Sequence, residues 1–147
     1  MSDTYQRYKN YCLYLLGRRE YSRLELLKKA AEDIPKEIVN QVLDELSDKD
    51  LQSDERFCLS FIRQKKQRGE GKLKIKQGLK AKGISEVLIE KHLINIDWLD
   101  IALELYQRKF KNEKPKDYKD LAKRQRFLLS RGFSYDEIKE IMKKVEK

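Results

Sequence analysis

Apolar residues recur along the chain in three copies of one pattern. A large apolar residue, a small one, two variable positions and two further apolar residues read Tyr11-Cys12-x-x-Leu15-Leu16, Phe57-Cys58-x-x-Phe61-Ile62 and Ile101-Ala102-x-x-Leu105-Tyr106. This spacing gathers the apolar side chains on one face of a helix. Further along each copy a second set recurs with one shared spacing: Ile34, Val39 and Leu43; Ile84, Ile89 and Leu93; Phe133, Ile138 and Met142. Self-similarity at a fixed period marks a repeat architecture.

Each copy reads as three helices. The first copy predicts helices over about Thr4–Leu16, Arg23–Glu32 and Pro35–Ser47. Gly17 is expected to close the first with a left-handed residue. Ser22-Arg23-Leu24-Glu25 is a capping box opening the second, and Pro35 suits the first turn of the third. In the second copy Ser53 caps the first helix, Arg68-Gly69-Glu70-Gly71 breaks the chain, and a helix runs from about Lys72 to Lys82. Gly83 ends that helix and Ser85 caps the next. The third copy has a longer first loop, around Asn112 to Lys116. Gly132 matches Gly83, and Ser134-Tyr135-Asp136-Glu137 is a second capping box. The first copy lacks the matching glycine at Glu32-Asp33-Ile34, so its second turn should be shaped differently.

The predicted fold is all-α: three tandem three-helix repeats, residues 1–53, 54–98 and 99–147. A unit of ~45 residues buries little surface alone, so neighbouring units should share apolar contacts in an elongated, curved array. A single nine-helix globule is the alternative. Trp98, at the second boundary, is expected to join two units. Tyr11, Phe57, Tyr106 and Phe133 fall at core positions, whereas Tyr5, Tyr8, Tyr118 and Tyr135 have no assigned place.

Composition agrees with helix. Gly (6) and Pro (2) are scarce in 147 residues, and charged residues reach 40%. There is no apolar run long enough to span a membrane, and Met1 to Arg7 is polar, unlike a secretory leader. Cys12 and Cys58 lie far apart without a CxxC spacing, which suits a reducing cytoplasm.

The net charge of +9 points to a polyanion or an acidic protein surface as partner. It is unevenly spread: the three segments carry −1, +5 and +5. Lys72, Lys76 and Lys80 stand one turn apart on a helix expected to bury Leu73, Ile75 and Leu79. Lys65, Lys66 and Arg68 lead into the glycine break, and Lys123, Arg124, Arg126 and Arg131 cluster around the matching helix of the third unit. These ten are the candidate partner-binding residues, against the plainer reading of a solvated face.

Nothing in the chain marks a catalytic or metal centre. His92, the one histidine, occupies the slot of Val42 and Ile141, which suits a half-buried structural role. Cys12 and Cys58 fill the slot of Ala102 and read as small packing residues rather than nucleophiles. Phosphate-binding glycine loops are missing too. No cofactor is expected.

Three ordered segments stand out: Asp54-Glu55-Arg56-Phe57-Cys58-Leu59-Ser60-Phe61-Ile62-Arg63; then Gly71-Lys72-Leu73-Lys74-Ile75 with Leu79-x-x-Lys82-Gly83-Ile84; and Arg126-Phe127-Leu128-Leu129-Ser130-Arg131-Gly132-Phe133-Ser134-Tyr135. Together they resemble the RecX family of RecA regulators. Arg108-Lys109-Phe110 and the following loop fit as well. Gly78 departs from the pattern, where the family more often has an acidic helix former. The resemblance implies a cytoplasmic, non-enzymatic protein, expected as a monomer, of three-helix repeats. Such a protein would bind the RecA filament and restrain ATP hydrolysis, strand exchange or filament growth, with consequences for recombination, DNA repair and the SOS response. Two rivals stand beside it: a helical module that binds single- or double-stranded DNA directly through its basic helices, and an enzyme with an unmarked site.

Overall fold

The computed structural model describes residues 3–111 and 113–146; of the Glu146 side chain nothing is described, and Asn112, at the start of the expected long loop, lies outside the described residues. The described residues form helices only: α1 (Asp3–Leu16), α2 (Arg23–Lys28), α3 (Lys36–Asp48), α4 (Asp54–Gln67), α5 (Lys72–Ala81), α6 (Glu86–Leu93), α7 (Trp98–Phe110), α8 (Tyr118–Ser130) and α9 (Tyr135–Glu146). The fold is all-α, with the helices in three consecutive sets of three.

The caps explain most of the boundaries. Ser22 and Glu25 form the expected capping box, Ser22 Oγ accepting from the Glu25 N–H at 3.1 Å while Glu25 Oε1 accepts from the Ser22 N–H at 3.1 Å. Ser134 and Glu137 do the same for α9, at 3.2 and 2.8 Å. Ser53 and Ser85 accept from Arg56 and Leu88. Helices α4, α5 and α8 end on left-handed residues, Gly69 (φ 77), Gly83 (φ 81) and Gly132 (φ 99). At each of these the next N–H reaches back to an earlier carbonyl, as Ile84 does to Leu79 and Phe133 to Leu128.

Several expectations are corrected. Gly17 is not left-handed; α1 closes through the Arg18 and Arg19 N–H groups, which both donate to Leu15. The left-handed closure in the first set belongs to Asp50 (φ 60) after α3, where Leu51 and Gln52 donate back to Leu46. Helix α2 stops at Lys28, short of the expected Glu32, and a turn in which Ile34 donates to Ala31 leads to Pro35. Pro35 precedes the first helical residue, with φ −58 and ψ 140, rather than lying inside α3. The second turn of the first set thus differs from its counterparts.

Tertiary contacts gather the chain into two compact units, residues 1–60 with 79–89 and residues 61–78 with 90–147. The dividing line crosses α4, α5 and α6, so each middle helix gives one end to each unit. In the first unit Tyr5, Tyr8, Cys12 and Leu15 of α1 meet Leu26 of α2 and Val39, Val42, Leu43 and Leu46 of α3. The buried stripe of α1 therefore passes through Tyr5 and Tyr8 and leaves Tyr11, an expected core residue, 42% exposed. In the second unit Ala102, Leu105 and Tyr106 of α7, Leu128 of α8, Phe133, and Ile138, Ile141 and Met142 of α9 form the core. The repeated slots Cys12, Cys58 and Ala102 are all fully buried, and Trp98 is buried as well. His92 is half-buried, as its slot suggests.

Candidate functional site

The lysine stripe of α5 meets carboxylates of the next helix. Lys76 pairs with Glu90 at 2.9 Å and Lys80 with Glu86 at 3.2 Å. Lys72 has no ion-pair partner among the described residues and is partly exposed. The core side of α5 also differs from expectation. Ile75 and Leu79 are fully buried, but Leu73 is 50% exposed. The third contact is Gly78, where an added Cβ would fall 2.6 Å from Phe61 Cζ. The Phe61 ring occupies the space a side chain at 78 would need, which accounts for the departure noted in the sequence.

At the end of α4, Lys65 lies 3.8 Å from Glu70 and 5.2 Å from the Phe61 ring centroid. Lys66 is partly exposed and Arg68 is exposed. In the third set Lys123 and Arg126 are exposed. Arg131 is partly exposed, 5.1 Å from the Phe127 ring, which Lys109 approaches at 5.4 Å.

Arg124 is a correction. It is 4% exposed and its guanidinium is used internally. One nitrogen donates to the Tyr106 hydroxyl at 2.9 Å and to the Glu113 carbonyl at 2.6 Å. The other donates to Asp120 Oδ2 at 3.2 Å, and the group lies 4.7 Å from the Phe110 ring centroid. Asp120 in turn accepts from the Lys116 N–H, which, with the nearby guanidinium, holds its carboxyl below the usual range. Arg124 fastens the loop before α8 to the core.

Sequence reasoning missed a set of joints. The Gly71 N–H donates to the Arg131 carbonyl at 2.6 Å and the Leu73 N–H to the Gly132 carbonyl at 3.1 Å. Donors at the start of α5 thus satisfy carbonyls at the end of α8. An added Cβ at Gly71 would lie 2.6 Å from Gly132 C and O. In the first unit Asp54 accepts from the Arg23 N–H and from Gln52 Nε2, each at 2.9 Å. Arg56 holds Glu20 at 3.1 Å and Asp50 at 2.9 Å. Lys82 reaches Glu25 at 3.1 Å, and a Cβ added at Gly83 would fall 2.8 Å from Leu24 Cβ. The signal was in the sequence: Asp54, Arg56, Gly71, Gly83 and Gly132 all lie within the three family-like segments.

Chemistry elsewhere is subdued. Burial pushes the Cys12 and Cys58 thiols up to about 11, so neither is an activated nucleophile. Among the described residues no three His, Cys, Asp or Glu side chains are grouped to hold a metal ion, and no helix is long and apolar enough to cross a membrane.

The chain matches the family descriptions "RecX, first three-helix domain" over residues 9–46, "RecX, second three-helix domain" over 53–93 and "RecX, third three-helix domain" over 95–142. It is 39% identical over 138 residues to "Regulatory protein RecX" of Actinobacillus pleuropneumoniae serotype 5b (strain L20), covering 90% of this chain and 89% of the relative. To the protein of the same name from Legionella pneumophila (strain Corby) it is 40% identical over 137 residues, covering 91% of each. Among solved structures, "Crystal structure of RecX from Lactobacillus salivarius" superposes with a TM-score of 0.83 at 24% identity, covering 99% of both chains. "Crystal structure of regulatory protein RecX" gives 0.78 at 25% identity, over 97% of this chain and 72% of that one.

Proposed function

The chain belongs to the RecX family, and from that premise we propose that it is a regulatory protein acting by binding: it docks on a RecA nucleoprotein filament and restrains ATP hydrolysis, strand exchange or filament extension. The observation that carries this reading is the ordered match to all three family domains. The proposed units are residues 1–53, 54–98 and 99–147, working in the cytoplasm as a monomer without cofactor or catalytic step. Its contact surface comprises Lys66, Arg68, Lys72, Lys123, Arg126 and Arg131, with Lys65, Lys76 and Lys80 contributing where their carboxylate partners yield. Exposed cations on the second and third sets suit an acidic filament wall or its DNA phosphates.

The test is RecA-catalysed ATP hydrolysis on single-stranded DNA with substoichiometric amounts of this protein. A fall in rate is expected. An unchanged rate even at large molar excess overturns the reading. Retention of DNA without RecA, with a steep fall in affinity as salt rises, would instead mark a direct nucleic-acid binder.

A further inference from the structure

Helices α8 and α9 enclose a groove of about 450 Å³ on the third set. Its apolar lining includes Ala122 and Leu129 from α8 and Tyr135 and Met142 from α9, and its charged residues are Arg126 and Lys139. Tyr135 is 76% exposed and Leu129 38%, so large apolar surface faces solvent here. Neither Arg126 nor Lys139 has an ion-pair partner among the described residues, and no carboxylate lines the groove. We propose that this groove is the docking site of an acidic amphipathic helix from a partner protein.

Geometry favours a helix as occupant. Ala122 and Leu129 are seven residues apart on one helix, as are Tyr135 and Met142 on the other, so each wall runs about 10.5 Å at the helical rise. A guest helix with apolar side chains at i, i+4 and i+7 matches that length, in the helix-in-groove manner. Charge selects the guest: two unpaired cations over an apolar floor complement carboxylates flanking an apolar stripe.

The other sets show why the third is singled out. Between α2 and α3 a groove of about 320 Å³ includes Leu27, Ala30, Ile34 and Val39, but Glu32 stands there beside Lys36 and leaves no net charge preference. In the middle set Lys76–Glu90 and Lys80–Glu86 bridge α5 to α6. The inference goes beyond filament regulation and requires neither RecA nor DNA in its test.

The probe is an acetylated, amidated peptide of about four turns with Leu at i, i+4, i+7 and i+11 and Glu and Ala elsewhere. It is titrated into the full chain and followed by fluorescence anisotropy and by amide spectra. Saturable binding is expected, with shifts centred on Leu129, Tyr135 and Met142. Arg126→Glu combined with Lys139→Glu should weaken it at least about tenfold, and so should Tyr135→Ser. These positions are exposed, and circular dichroism checks that each variant folds. A peptide of the same composition with scrambled order, and one with Lys for Glu, should bind far more weakly. Absence of saturable binding overturns the proposal, as do shifts centred elsewhere. Equal affinity for either control peptide, or for the charge-reversed protein, also overturns it.

Discussion

Arg124 donates to the hydroxyl of Tyr106 at 2.9 Å from a position only 4% exposed. The same guanidinium holds the Glu113 carbonyl, so a core aromatic and a loop backbone share one cation. Arg124→Ala should cost about 3 kcal/mol in urea unfolding, because buried partners of a charged donor are left unsatisfied. Arg124→Lys should recover little, since an ammonium lacks the planar fork. A loss under about 0.5 kcal/mol, as for an ordinary surface site, would show that the loop is held by other means.

A second stability test concerns Gly71. Its missing side chain leaves room for the Gly132 backbone, and backbone cannot swing aside as a side-chain tip can. Gly71→Ala should lose about 2 kcal/mol. Gly17→Ala is the control: its nearest neighbours are 3.5 Å away, so the change should be neutral or slightly stabilising. Equal effects at the two positions would refute the close-approach account.

Acid should loosen the first unit through Glu25. Burial raises this carboxyl, but Arg19, the Ser22 N–H and Lys82 together outweigh it and hold the folded value below the usual one. A lowered folded value means that the unfolded chain takes up its proton first as pH falls. The stabilisation is therefore whole above the unfolded value, roughly 4.3, and is lost progressively below it. Glu25→Gln should flatten the dependence of unfolding free energy on pH in that acidic window. An unchanged slope would count against the pairing.

The cysteines should be chemically silent. Both are fully buried, with thiols near 11, so a disulfide reagent at neutral pH should label neither until the protein is unfolded. Cys12→Ala with Cys58→Ala should still fold, losing about 1 kcal/mol per site, because Ala102 fills the same slot. Rapid labelling of the native protein would contradict this.

The lysines of α5 should differ from one another. Reversing Lys76 or Lys80 to Glu sets like charges against Glu90 or Glu86, whereas Lys72 has no such partner among the described residues. Lys76→Glu should cost up to about 1 kcal/mol more than Lys72→Glu in thermal or urea unfolding. Equal costs would mean that the pairs contribute nothing.

Helix order, caps and most core slots were legible because they depend on local chemistry. Ser22–Glu25 and Ser134–Glu137 are capping boxes whatever surrounds them, and Ile89, Leu93 and Ile138 keep helical spacing. Tyr5 and Tyr8 were not placed because a tyrosine's ring and hydroxyl argue opposite ways. In the fold the Tyr8 hydroxyl donates to the Leu26 carbonyl at 2.7 Å, which permits burial of the ring. Asp50 escaped notice because a left-handed closure suggests glycine, although aspartate tolerates that conformation too. Of the proposed surface, the cations were visible as composition, but their partners were not. Arg124 looked like its exposed neighbours Lys123 and Arg126, since helical position alone does not reveal which face the preceding loop will cover.

The contact between the start of α5 and the end of α8 is made by main-chain atoms that every residue except proline supplies in full. Drift can therefore rewrite the exposed positions of both helices without loosening their meeting point. A single added carbon at Gly71, by contrast, presses on the Gly132 backbone. The cations proposed to meet a partner are thus mounted on a fastening that their own replacement leaves untouched.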